Sequence, residues 1–121
     1  MRIDIQARGF ALTEGLRQHT ERRLQFALSW ANHEVRSVSV DLSDINGSRG
    51  SPGKRCCIQI PLPGHTPVVI ETIETDLYVA IDRAADRSER TLSRRLERLR
   101  EHRHASGVRG EHFRDNNRPT C

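Results

Sequence analysis

Five arginines, Arg83, Arg87, Arg90, Arg94 and Arg98, recur every three or four residues in a stretch without glycine or proline. At about 100° per residue they fall along one face of an α-helix. A guanidinium group meets a phosphate through two parallel hydrogen bonds, a match that a lysine ammonium does not make. Of the 20 Lys and Arg residues in the chain, 19 are Arg. The chemistry such a row could do is to hold a polyanion by its phosphates. The acidic residues Asp82, Asp86, Glu89 and Glu97 lie to one side of the row and leave it uninterrupted. A plainer reading is a solvated helix face carrying i,i+4 ion pairs such as Asp86 with Arg90.

Other reactive side chains form no comparable pattern. No Ser/His/Asp arrangement falls on regular elements, no phosphate-binding glycine loop precedes a helix, and no paired carboxylates share an evident cleft. The expectation is a protein that is not an enzyme, with no catalytic residues, no cofactor and no small-molecule substrate. Glu71 and Glu74 read as surface or edge charges. Asp41, Asp44, Asn46 and Gly47 have part of the look of a calcium loop, but the spacing and the terminal glutamate are missing, so a turn is expected. Cys56 and Cys57 are neighbours in a strand and point to opposite faces, so they cannot share one ion. Cys56 reads as core and Cys57 as a partly exposed thiol. His102, His104, His112 and Cys121 lack zinc spacing, and no metal site is expected.

The arginines need an element to align them. Residues 76–103 supply it, with Leu77, Ile81, Ala84, Ala85, Ser88, Leu92, Leu96 and Leu99 forming an apolar stripe about 140° from the arginine row. That geometry predicts a helix with one face packed on a sheet. Thr75 or Asp76 would cap it. Upstream, Arg2 to Arg8 alternates strictly, with Ile3, Ile5 and Ala7 on one face, and reads as a half-buried strand. Thr13 is placed to cap a helix running to about Ser29, with Leu16, Thr20, Leu24, Ala27 and Leu28 on one stripe and Phe26 and Trp30 off it. Val35 to Leu42 is a second strand, with Val38, Val40 and Leu42 inward. Lys54 to Leu62 is a third, with Cys56, Ile58, Ile60 and Leu62 inward, after a long loop rich in Gly and Ser. Pro63-Gly64-His65 turns the chain into a fourth strand, Thr66 to Glu74, near an edge because of Pro67. The order β-α-β-β-β-α implies an α+β fold, a four-stranded sheet with two helices on one face and a polar face of Gln6, Ser37, Ser39, Asp41 and Gln59 as in antiparallel sheets. Residues 104–121 have no periodicity and read as a flexible C-terminal tail to the domain of residues 1–103.

Whole-chain properties agree with a polyanionic partner. The 121 residues carry a formal net charge of +4. Apolar residues are 35% and aromatics 4%, which predicts a small core of Ile, Val, Leu and Ala and gives base stacking a secondary place. No run has the length of about 18 apolar residues that a membrane span needs. The opening MRIDIQARGF has no apolar signal segment, so a cytoplasmic protein with reduced thiols is expected.

The element order, with TEGLRQHTERRL in the first helix, VSVDLSDINGSRGSPGKRCCIQI across the hairpin and DLYVAIDRAADRSERTLSRRLERL in the last helix, resembles the ribosome hibernation-promoting factors. This family is also called the ribosome-associated inhibitor or sigma-54 modulation family, and the chain is similar to its short form over about residues 1–101. The resemblance implies a domain similar to double-stranded RNA-binding folds. Such a domain docks on the 30S ribosomal subunit near the decoding centre, contacts 16S ribosomal RNA, and inhibits translation or protects idle ribosomes. By position, Arg87, Arg90, Arg94 and Arg98 match basic residues of the family's last helix and Arg22 one of its first; Arg83 and Arg95 extend the patch as this chain's own additions. Gln25 stands where familiar members often carry Lys, and the loop from Asp44 to Gly53 is longer than theirs. The dimerising second domain of long members does not follow, so the chain is not expected to pair ribosomes by a domain of its own, though weak self-association is compatible with it. A reading of another class is a protein-interaction module, using the open sheet face or an edge strand, with the arginines serving solubility. A third is a small redox- or metal-responsive protein using Cys57 and Cys121.

Overall fold

The computed structural model describes residues 1–44 and 53–104, with side chains as far as Glu101. Strand β1 (Arg2–Arg8) is followed by helix α1 (Glu14–Leu28) and a single 3-10 turn (Ser29–Ala31). Strands β2 (Ser37–Asp44), β3 (Lys54–Leu62) and β4 (His65–Glu74) then lead into helix α2 (Leu77–His104). The strands form one sheet in the order β1-β2-β3-β4. This is the α+β fold expected, four strands with two helices.

One pairing differs from the expectation of an antiparallel sheet. β1 pairs with β2 in parallel, while β2–β3 and β3–β4 are antiparallel. A parallel pair needs a long connection, and α1 is that crossover. β2 also starts two residues later than its apolar pattern suggests. Val35 is buried, but its amide donates to the Ala31 carbonyl at 3.0 Å, which keeps it in the turn. The β3–β4 turn is tight, with Leu62 opposite His65 and Gly64 at φ +81°, a backbone conformation that glycine enters without steric cost.

The core lies between the sheet and the helices. Val38, Val40, Leu42, Cys56, Ile58, Ile60, Val68 and Ile70 are buried on the sheet, against Leu16, Leu24, Ala27 and Leu28 of α1 and Ala80, Ile81, Ala84, Ala85, Leu92 and Leu96 of α2. The small residues Ala80, Ala84, Ala85 and Ser88 bring the first half of α2 close to the sheet, while Leu92 and Leu96 fill its second half. Leu77 and Leu99, at the ends of the expected stripe, pack only partly. Ile3 and Ile5 are half-buried because β1 is an edge strand.

Both helix starts are capped. The Thr13 hydroxyl accepts from the Leu16 amide at 3.2 Å, and the Asp76 carboxylate accepts from the Tyr78 amide at 2.9 Å. Thr72, facing inward on β4, donates to the Ala80 carbonyl at 2.8 Å and ties the start of α2 to the sheet.

On the opposite face, Cys57 is not the partly exposed thiol expected. It is 2% exposed and held in a disulfide, while Cys56 behind it is buried and free, so the two do not bridge each other. Cys57 lies on an interior strand between Asp41 of β2 and Glu71 of β4, and a short side chain there is overtopped by longer neighbours. The expectation of uniformly reduced thiols is corrected accordingly. Residues 105–121, and Asn46 and Gly47 of the long loop, lie outside the described residues, as do the side chains of His102 and His104.

Candidate nucleic-acid interface

The two helices lie side by side on the sheet and are joined by a polar seam. Asp82 of α2 accepts from Arg23 Nε at 3.1 Å and bonds to His19 Nε2 at 2.8 Å, both on α1. Arg23 also donates to the Asp82 carbonyl at 3.2 Å. Tyr78 meets His19 edge-on, with ring centroids 4.8 Å apart. Asp82 is thus directed toward α1 and held there, apart from the arginine row.

Arg83, Arg87, Arg90, Arg94 and Arg98 are all exposed along α2. Their surroundings divide the row. Arg83 approaches Glu74 of β4 at 3.4 Å, and Arg87 donates to the Glu71 carbonyl at 3.1 Å. A groove of about 390 Å³ between β4 and α2 is lined by these four residues together with Thr72, Ile73, Asp86 and Arg90. Glu71 and Glu74, expected as plain edge charges, each hold an arginine, since Glu71 also meets Arg55 Nε at 2.6 Å. Arg90 pairs with Asp86 at 3.6 Å, as the plainer reading of the helix foresaw, yet its side chain remains 62% exposed. A loose pair at that exposure contributes little and gives way to a stronger anion.

Arg95 stands apart from the row. It is half-buried and donates to the Thr66 carbonyl of β4. With Arg87 it occupies two carbonyls of an edge strand, which blunts that edge against pairing with another chain. Arg22 is exposed on the neighbouring helix. Five of the seven arginines singled out in the sequence therefore lie together on α2, one lies on α1, and one serves the sheet edge.

The opposite sheet face is polar. Asp4, Gln6, Ser39, Asp41, Cys57 and Gln59 line a shallow depression there, and Arg8 reaches Asp41 at 3.6 Å. Among the described residues, no group of three His, Cys, Asp or Glu side chains could hold a metal ion, and no helix is long and apolar enough to cross a membrane.

Helical spacing assigns two aromatic residues to no surface. Phe26 is 80% exposed and Trp30 46% exposed. Trp30 lines a depression with Glu89, Arg90, Ser93 and Arg94, beside the arginine row. The departure of Trp30 from the apolar stripe of α1 is the signal in the sequence that points to this surface.

A small α+β domain with paired helices on one sheet face and an arginine-lined outer surface is the class that this geometry defines. Residues 3–100 match the family of the Sigma 54 modulation protein / S30EA ribosomal protein, and the chain belongs to that family. It is similar to the ribosome-binding factor PSRP1, chloroplastic, of Spinacia oleracea, with 26% identity over 118 residues, 95% of this chain. The chain spans 39% of the length of that relative. The N-terminal domain of Thermus thermophilus Protein Y is 32% identical and superposes with a TM-score of 0.63, covering 78% of this chain and 98% of that one. A ribosomal subunit interface protein from Coxiella burnetii shares the fold at 22% identity and a TM-score of 0.69, covering 80% of this chain and 99% of that one.

Proposed function

We propose that this protein is a ribosome-associated RNA-binding factor. It docks on the 30S subunit near the decoding centre through the arginine face of α2, contacts 16S ribosomal RNA, and inhibits translation or protects idle ribosomes, with the cytoplasm as its setting. The observation that carries this reading is the exposed row Arg83–Arg87–Arg90–Arg94–Arg98 on a helix whose opposite side is fixed in the core. Arginines one turn apart can meet successive phosphates, and A-form RNA is recognised mainly by shape and backbone. Family membership supports the same partner, because the relative from spinach is named as a ribosome-binding factor. Arg22 adds a contact from α1. Arg95 contributes by holding β4 against α2. Residues 1–103 would act as the binding domain and 104–121 as an appended tail.

A partner protein on the sheet edge is less well supported, since Arg87 and Arg95 already occupy two β4 carbonyls. The test is co-sedimentation with purified 30S subunits of wild type and an Arg87→Glu/Arg90→Glu/Arg94→Glu variant, each checked for folding. Saturable binding by wild type and its loss in the variant are expected. Equal binding by both would move the contact off α2, and no binding by wild type would overturn the reading.

A further inference from the structure

The depression beside Trp30 has a composition that the arginine row alone does not explain. Arg90 and Arg94 form one wall, the indole of Trp30 another, and Glu89 and Ser93 complete the lining. The Trp30 ring is fixed in place, because its Nε1 donates to the Ala27 carbonyl at 2.8 Å. With that N–H engaged, what the indole offers outward is apolar ring surface, 46% of the residue being exposed. Phe26, one turn earlier on α1, is more exposed still at 80%. The chain has few aromatic residues, one Trp, one Tyr and three Phe, and its one Trp lies beside Arg90 and Arg94.

We propose that this depression is a nucleobase pocket. It takes one unpaired base of the RNA whose phosphates lie on the arginine row, and it therefore rests on the function proposed above. The indole face and the guanidinium planes of Arg90 and Arg94 are the two kinds of surface on which bases stack. The Glu89 carboxylate selects between the parts of a nucleotide. It repels a phosphate from the pocket, yet accepts from the N–H groups on the edge of a base. Phosphates are thereby left to the outward-facing arginines, and the neutral base is directed between Trp30 and Arg94. A duplex cannot fill such a pocket without releasing a base, so the pocket favours a bulge, loop or single strand.

Trp30 is the only tryptophan in the chain, so its emission reports on the pocket directly. The full chain is titrated with a single-stranded RNA dodecamer of mixed sequence, and separately with heparin, a polyanion without bases. Saturable quenching by RNA, with heparin binding the protein but leaving the emission unquenched, is expected. Equal emission changes with both ligands would overturn the pocket. Two conservative variants then separate stacking from packing. Trp30→Phe keeps a ring without the Nε1–H anchor, and should lose less affinity for the dodecamer and for 30S subunits than a variant with no ring. Trp30→Leu keeps apolar volume and should lose about tenfold, the order that base–aromatic stacking contributes, with an unchanged salt dependence. Wild-type affinity in the leucine variant would refute the pocket while leaving the arginine contact standing. Failure of wild type to bind 30S would instead strike the ribosomal reading, with the oligonucleotide titration still deciding the pocket.

Discussion

Asp82 carries the polar seam between the helices, since a single carboxylate holds both His19 and Arg23. All three side chains are partly exposed, so water can take the place of the carboxylate when it is removed. Asp82→Ala is therefore expected to cost about 1 kcal/mol, read as a lower urea midpoint at unchanged m-value. A drop several times larger would mean that the seam fixes the helix packing itself. Cys56 has a different consequence. Burial, and after it the charge of Asp41, pushes its thiol up from 9.0 to about 12. The folded state then keeps a proton that the unfolded chain gives up above pH 9. This contribution to stability is complete below pH 9 and is lost as pH rises toward 12. Denaturation midpoints across that range should fall, and Cys56 should resist alkylation at pH 8 until the chain unfolds. Ready alkylation of folded protein would contradict its burial.

α2 presents two faces with separable duties. Leu92 is fully buried against the sheet, while Arg90 and Arg94 are exposed. Leu92→Ala should destabilise by about 2–5 kcal/mol. Arg90→Gln/Arg94→Gln should leave thermal stability within about 0.5 kcal/mol while weakening RNA binding. A strong loss of stability in the arginine variant would make the row structural. Both faces of this helix were legible in the sequence, because a 28-residue helix without glycine or proline repeats its pattern often enough to fix its orientation. β1 and β3 were equally legible from strict alternation. Three features were not, each for a reason of tertiary structure. The parallel pairing of β1 with β2 depends on the path of the α1 crossover, which alternation does not encode. The burial of Cys57 depends on which strand lies at the centre of the sheet. The capture of Arg87 and Arg95 by β4 depends on α2 lying over that edge, and helical spacing places Arg87 in the row without showing its partner.

At the scale of the whole molecule, apolar side chains of the sheet and both helices close the core, and the arginine row lies on the outer side of α2. Within the net charge of +4, Asp82 is engaged in the helix seam, Glu71 meets Arg55, and Glu74 meets Arg83 of the row itself. Membership of the Sigma 54 modulation protein / S30EA ribosomal protein family gives the fold and its ribosomal context. The row on α2 is the contact proposed for this chain. If that contact is made through phosphates, binding releases counterions, and affinity must fall linearly with salt on logarithmic axes. The decisive measurement is the dissociation constant for 30S subunits across a potassium chloride series, for wild type and for Arg94→Gln/Arg98→Gln. A steep wild-type slope is the predicted result, shallower in the variant by about 1.4–1.8 because two fewer phosphates are neutralised. Parallel slopes, or an affinity indifferent to salt, would contradict the claim that α2 holds ribosomal RNA by its backbone.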